Sequence, residues 1–209
     1  MKMKNFIIFV LLGIICREGY SQPKNVFEKD KIEAINSYLD TTLKEKSEKI
    51  IITKEKINTN ETIRMFLCDE YNPFLCKYKV WENRENVLLY NEEDFIKMKK
   101  EYQDTISDNK EKWLTNSYWK PENFKNKHIT FEPFEDVFVK LERSLFPKER
   151  QTMIYSFSEP IYYKNKKYLL FSVTVGSTKF AHFQNSVVVM KKLKEQWVLE
   201  VEIGDYIIN

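Results

Sequence analysis

Hydrophobic and polar positions alternate in the last part of the chain. From Tyr168 to Val175 every second side chain is apolar, and Ser172 and Thr174 lie on the opposite face. The segment from Gln196 to Ile203 repeats this pattern. A period of two is typical of a half-buried strand. We therefore predict an antiparallel meander with one buried face, in which residues 176–185 form the long hairpin loop.

Apolar residues at three- and four-residue steps predict three helices before this meander. The first covers residues 30–46. The second begins after Asn91, whose side chain is a preferred N-cap and is followed by three acidic residues. The third covers residues 133–146 and ends before Pro147, because proline cannot continue a helix interior. The predicted fold class is α+β, an antiparallel C-terminal sheet with about three helices packed on one of its faces.

Short apolar or alternating runs predict further strands. Residues 58–60 have the composition of a turn and separate two of these runs. Residues 113–124 are rich in aromatic side chains and show no clear period. The additional predicted strands are residues 50–53, 61–68, 76–81 and 153–157.

The first twenty-one residues have the three-part layout of a secretory signal peptide. Two lysines precede an unbroken apolar run, residues 6–15, and small residues stand before a cut predicted ahead of Gln22. This run is too short to span a bilayer, which requires about 20 apolar residues. We therefore expect a protein that is exported to the periplasm or secreted, without a membrane span. Residues 22–209 form one predicted α+β domain, and residues 22–50 are a candidate N-terminal helical extension.

The three cysteines bear on the same question. Cys16 gives the leader a second interpretation, a lipoprotein signal that anchors the chain to the outer membrane by an acylated cysteine. Ile15 fits this poorly, because such signals need a small residue directly before the cysteine. After cleavage ahead of Gln22, Cys68 and Cys76 remain, and an oxidising compartment favours one disulfide between them. Two reduced, buried thiols are the alternative.

Removing the leader nearly balances the charge. The chain has 34 basic and 31 acidic residues, and residues 1–21 hold three of the basic and one of the acidic ones. The remainder therefore carries 31 basic and 30 acidic residues. Two lysine clusters, in residues 97–100 and 191–194, have acidic neighbours and no interleaved aromatics, which favours solvated faces. We expect no nucleic-acid partner.

Residue counts exclude several kinds of active site. Only Gly176 and Gly204 remain after cleavage, whereas phosphate-binding loops and nucleophile elbows need closely spaced glycines. Nucleotide enzymes and α/β-hydrolases of the usual type are therefore excluded. His128 and His182 are the two histidines, so a three-histidine zinc site cannot form. We predict neither a metal nor a cofactor.

Four aromatic residues form the candidate binding surface: Trp113, Tyr118, Trp119 and Phe124. Their rings can stack on a sugar or a peptide, and the alternative is that they pack in the core. His182 lies between phenylalanines in the predicted hairpin loop, where it can contact a ligand or act as an acid or base. A surface imidazole without such a role is the alternative.

A stretch of the C-terminal half carries a family resemblance. It runs from Ser158-Glu159-Pro160-Ile161 through Lys167-Tyr168-Leu169-Leu170-Phe171 to Trp197. It resembles the closing meander of small uncharacterised exported proteins of Gram-negative bacteria, which implies export but no activity and no site residue. We predict a non-enzymatic binding or interaction protein with a protein, peptide or glycan partner. The alternative is a hydrolase-like enzyme that uses His182 or a carboxylate in a sheet-side pocket.

Overall fold

The computed structural model describes residues 24–43, 49–67, 89–105, 112–143, 151–179 and 183–204. Within these ranges the chain forms four α-helices, a sheet of seven strands and a sheet of two strands. The α+β class and the C-terminal meander predicted from the sequence are confirmed. The chain divides after Asp30, and the packing described below belongs to the part that begins at Lys31.

The elements are numbered in chain order. The helices of the described ranges are α1 (Lys24–Thr42), α2 (Thr59–Leu67), α3 (Glu92–Tyr102) and α4 (Phe134–Glu142). The first strands are β1 (Ile50–Thr53), β2 (Glu55–Ile57), β3 (Leu114–Tyr118) and β4 (Ile129–Glu132). The later strands are β5 (Met153–Phe157), β6 (Ile161–Tyr163), β7 (Tyr168–Ser177), β8 (Gln184–Leu193) and β9 (Gln196–Gly204).

Strand β7 is the centre of the large sheet, whose order is β4-β1-β5-β7-β8-β9. Strands β5 and β6 share one side of β7, where β5 pairs with residues 173–177 and β6 with residues 168–170. Strands β7, β8 and β9 follow one another as an antiparallel meander. Strand β1 runs parallel to both β4 and β5, so the sheet is mixed at this edge. Strands β2 and β3 form the two-stranded sheet.

Helices cover both faces of the large sheet, and the prediction of helices on one face only is corrected here. Helices α2 and α3 pack against Leu170 and Val189, and α4 packs against Ile154 on the same face. Helix α1 covers the opposite face, where the Tyr38 ring makes edge contacts with the Phe157 and Phe171 rings. Strand β7 is therefore buried on both sides.

Burial on both faces places polar residues inside, including Ser172 and Thr174, which the alternation predicted to face outward. The Thr62 hydroxyl of α2 lies 2.8 Å from the Ser158 hydroxyl and 3.1 Å from the Ser172 hydroxyl. The backbone N–H of Ser172 donates to both Thr62 Oγ1 and Ser158 Oγ. The Thr174 hydroxyl donates to Asn185 Oδ1 at 2.6 Å. These buried hydroxyls are tolerated because each has a hydrogen-bond partner.

Residues 61–67 are helical, and the prediction of a strand over residues 61–68 is wrong for them. The predicted turn is the start of α2: Asn58 Oδ1 accepts from the Asn60 N–H, and the Asn58 carbonyl accepts from the Glu61 N–H. The buried side chains fall at positions 62, 63, 65 and 66, the three- and four-residue spacing of one helix face. A short apolar run does not separate a strand from a helix, and here the turn chemistry decides.

The three predicted helices form, with shifted ends. Helix α1 begins and ends earlier than predicted, at Lys24 and Thr42. Helix α3 starts at the predicted cap, where Asn91 Oδ1 accepts from the Asp94 N–H at 3.0 Å. Helix α4 begins directly after Pro133.

The connections also differ in part from their predictions. The predicted hairpin loop is shortened from both sides, because β7 extends to Ser177 and β8 begins at Gln184. The aromatic segment 113–124 contains strand β3 rather than irregular chain alone. The predicted strand 76–81 lies outside the described residues.

Candidate functional site

Two of the four predicted binding aromatics are packed into the molecule. Trp119 is 6% exposed, and its indole N–H donates to the Phe157 carbonyl at 3.1 Å. Phe124 is half-buried, and its ring centroid lies 5.8 Å from that of Trp119 and 5.4 Å from that of Phe131. These contacts fix the Trp119 ring against β5 and the Phe124 ring against β4.

The other two aromatics differ in exposure. Trp113 is half-buried and makes an edge contact with Phe134, with ring centroids 4.9 Å apart. Phe134 in turn stacks on Phe138 at 6.2 Å, and Phe138 is 45% exposed. Tyr118 is 58% exposed at the end of β3. The structure thus leaves one of the four rings, that of Tyr118, exposed and packs the other three against neighbouring rings, and ligand binding by any of them stays a prediction.

Several predicted residues lie outside the described part of the chain. These are Cys16, Cys68, Cys76 and His182. The disulfide, the lipid anchor and the role of the loop histidine therefore stay predictions.

The other histidine, His128, lines a cleft of about 360 Å³ at one end of the large sheet. Asn36 of α1 holds this cleft in shape: its side chain donates to the Asn123 carbonyl and accepts from the Lys125 N–H. The His128 carbonyl accepts from the Ile50 N–H, which fixes the end of the loop that leads into β4. The lining residues are Asp40, Leu43, Lys125, Asn126, Lys127 and His128.

A partly buried carboxylate joins three separate elements. Glu159 accepts from the Lys31 ammonium at 2.5 Å and from the Lys56 ammonium at 3.2 Å. The Lys56 ammonium also lies 4.4 Å from the centre of the Trp119 ring. Burial opposes ionisation of Glu159, but the two ammonium groups outweigh it and hold the pKa of this carboxyl below its ordinary value. The arrangement ties α1 and β2 to the connection between β5 and β6.

Replacing Glu159 with glutamine is expected to lower the free energy of unfolding by about 1 kcal/mol at neutral pH. Because the folded-state pKa is lowered, this contribution is present above the ordinary glutamate pKa of about 4.3 and is lost as the pH falls through the folded-state pKa. Urea unfolding of both proteins at neutral and at acidic pH measures the difference. An unchanged difference in acid contradicts the role of the ionised carboxylate.

Six lysines gather at the end of the large sheet that lies opposite to the cleft of His128. We call this surface the lysine end; its lysines are Lys164, Lys166, Lys167, Lys191, Lys192 and Lys194. It consists of the turn between β6 and β7 and the turn between β8 and β9. The two turns are neighbours because Tyr168 pairs with Lys191 and the Lys192 N–H donates to the Lys167 carbonyl at 3.1 Å. Glu195 lies in the second of these turns, and the Glu200 carboxylate pairs with Lys191 at 3.6 Å.

Four of these lysines lie over aromatic rings. Each ammonium nitrogen is 5.4 to 5.8 Å from a ring centre. The rings themselves are between 2% and 8% exposed, so they belong to the core and present the lysines at its edge. A cation over an aromatic face is attracted by the ring quadrupole, which holds the charge in place. The pairs are Lys164 with Tyr163, Lys166 with Tyr162, Lys167 with Tyr168, and Lys192 with Trp197.

The backbone of the lysine end is strained. Across the described residues, every non-glycine residue with a positive φ lies in these two turns, with φ between 48° and 65°. A left-handed conformation costs a residue with a side chain roughly 1–2 kcal/mol. Retained strain of this kind concentrates at functional sites. The residues are Lys164, Asn165, Lys166 and Lys194.

Two further searches of the described ranges give negative results. No three side chains of histidine, cysteine, aspartate or glutamate stand close enough there to hold a metal ion. No helix in those ranges is both long and apolar enough to cross a membrane.

Sequence reasoning interpreted residues 191–194 as a solvated face and did not single out the lysines of residues 164–167. The missed signal is the density of tyrosine and lysine in residues 162–168, where three residues of each type fall within seven positions. Comparison with protein-family models, with curated proteins and with solved structures finds no match to this chain.

Proposed function

We propose that this chain is an exported, non-enzymatic binding protein whose lysine end binds a polyanionic partner. The observation that carries the proposal is the set of four lysines held over buried rings at one end of the sheet. The signal-peptide pattern of residues 1–21 supports export.

Charge density favours a polymer or a surface over a single small anion. Six lysines are contributed by two neighbouring turns, and one of them, Lys191, is paired with Glu200. Clustered charge of one sign raises the local concentration of an opposite polymer and speeds its encounter. Lysine provides a point charge on a flexible stem, which suits closely spaced anionic groups of variable geometry.

The burial of the rings argues against single-stranded nucleic acid as the partner. Proteins that bind single strands stack successive bases on exposed aromatic faces. At the lysine end the rings are at most 8% exposed and lie beneath the ammonium groups. The site therefore offers charge without a stacking surface.

The proposal is tested by titrating the exported protein with dextran sulfate, with uncharged dextran as the control. Trp197, one of four tryptophans, lies beneath Lys192, so the part of the fluorescence change that a Trp197→Phe variant loses reports binding at this end. We expect binding at low ionic strength that weakens by about tenfold or more when salt is raised, because salt screens exposed charges. No binding at low salt, or binding that salt does not weaken, overturns the proposal.

A further inference from the structure

A large apolar side chain is exposed in the middle of the lysine end. Leu193 is 50% exposed at the end of β8, directly between Lys192 and Lys194. Burying such a side chain on a partner is favourable, since apolar area removed from water contributes roughly 25 cal/mol per Å². The lysine end thus combines an apolar tip with a surrounding group of cations.

We propose that the polyanionic partner is the surface of an anionic lipid bilayer. This inference rests on the function proposed above and names its partner. Leu193 enters the layer between headgroups and acyl chains, and the lysines contact the lipid phosphates. An acidic polysaccharide satisfies the lysines but offers Leu193 no apolar layer, whereas a bilayer satisfies both.

The position of the two turns suits an end-on approach to a flat surface. Both stand at the end of the sheet where β7 begins, and the Lys192 N–H to Lys167 carbonyl bond holds them side by side. Lys166, Lys167 and Lys194 are exposed there together with Leu193. Long lysine stems allow the ammonium groups to stay at headgroup level while the leucine goes deeper. Each lysine near an anionic leaflet contributes roughly fivefold to binding.

The experiment is sedimentation of the exported protein with two kinds of vesicle, phosphatidylcholine alone and phosphatidylcholine with about 30 mol% phosphatidylglycerol. We expect sedimentation with the anionic vesicles only. Leu193→Ser is expected to weaken vesicle binding about fivefold and to leave dextran sulfate binding unchanged. Phe138→Ser is the matched control, because this exposed side chain lies on α4, which packs at the other end of the sheet.

A second variant tests the same inference by a gain of vesicle binding, so that the result does not depend only on a loss. Leu193→Trp is expected to strengthen vesicle binding, and the fluorescence of the introduced indole shifts to shorter wavelength as it leaves water. Binding to dextran sulfate without binding to anionic vesicles overturns the lipid inference and leaves the proposed function standing. Equal vesicle binding by the wild type and Leu193→Ser, or no blue shift for Leu193→Trp, also overturns it. Binding to neither probe overturns both proposals.

Discussion

Replacing Lys166 and Lys194 together with glutamate is expected to weaken dextran sulfate binding at least about 30-fold. The two positions take one lysine from each turn of the lysine end, and both side chains are exposed. Removing each positive charge from an anionic surface costs about 1 kcal/mol, and the added negative charges repel the polymer further. Titration at fixed low salt measures the change.

A matched pair at the opposite end of the sheet controls for net charge. Lys125→Glu with Lys127→Glu makes the same change in the loop before β4, at the strand end where β7 finishes. This variant is expected to bind dextran sulfate nearly as well as the wild type. Equal losses in the two variants show that overall charge, not the lysine end, governs binding. Lys166→Arg with Lys194→Arg is expected to restore binding, because it keeps the charge.

Replacing Tyr163 with phenylalanine is expected to lower the free energy of unfolding by about 3 kcal/mol. The buried hydroxyl accepts from the Asn91 N–H at 2.8 Å and donates to the Leu89 carbonyl at 3.0 Å. Burial raises the pKa of Tyr163 to about 12, so the phenol stays protonated and keeps both roles at neutral pH. Without it the buried Leu89 carbonyl and the partly buried Asn91 N–H lose a partner, and the base of the β6–β7 turn loses its link to the start of α3.

Tyr118→Phe is the matched control, because that hydroxyl belongs to a side chain 58% exposed to water. It is expected to change the free energy of unfolding by less than about 0.5 kcal/mol. Urea unfolding of the three proteins gives both differences. If Tyr163→Phe is as stable as Tyr118→Phe, the link between the Tyr163 hydroxyl and the start of α3 does not stabilise the fold.

Local chemistry predicts much of this fold. Strands β7 and β9 and the Asn91 cap follow from the pattern of neighbouring residues, and each appears in the structure where the sequence places it. The burial of both faces of β7 is not predicted, because serine and threonine at alternate positions indicate a solvated face. Here Thr62, 110 residues from Ser172, supplies a buried partner that local sequence cannot show.

The lysine end depends on contacts between strands in the same way. The Lys192 cation lies over Trp197, which is across the β8–β9 hairpin, and not over a sequence neighbour. The two turns meet only because Tyr168 pairs with Lys191. The sequence therefore shows two separate lysine clusters, in residues 164–167 and 191–194. The pairing of β7 with β8 brings them together into one surface.

The aromatic segment shows the limit of composition as a guide. Residues 113–124 contain four aromatic side chains. Trp119 is buried because its N–H reaches the Phe157 carbonyl, while Tyr118, one position earlier, faces water. Neighbouring positions of an extended strand point to opposite sides, and the sequence does not show which side another element covers.

The most direct test of the central claim is to map the amide chemical shifts of the isotope-labelled protein as a short sulfated oligosaccharide is added. We predict changes concentrated in residues 161–170 and 189–198, which contain the two turns of the lysine end. Changes concentrated instead in the loop of Lys125 and Lys127, or no change at a concentration that saturates dextran sulfate binding, would contradict the account.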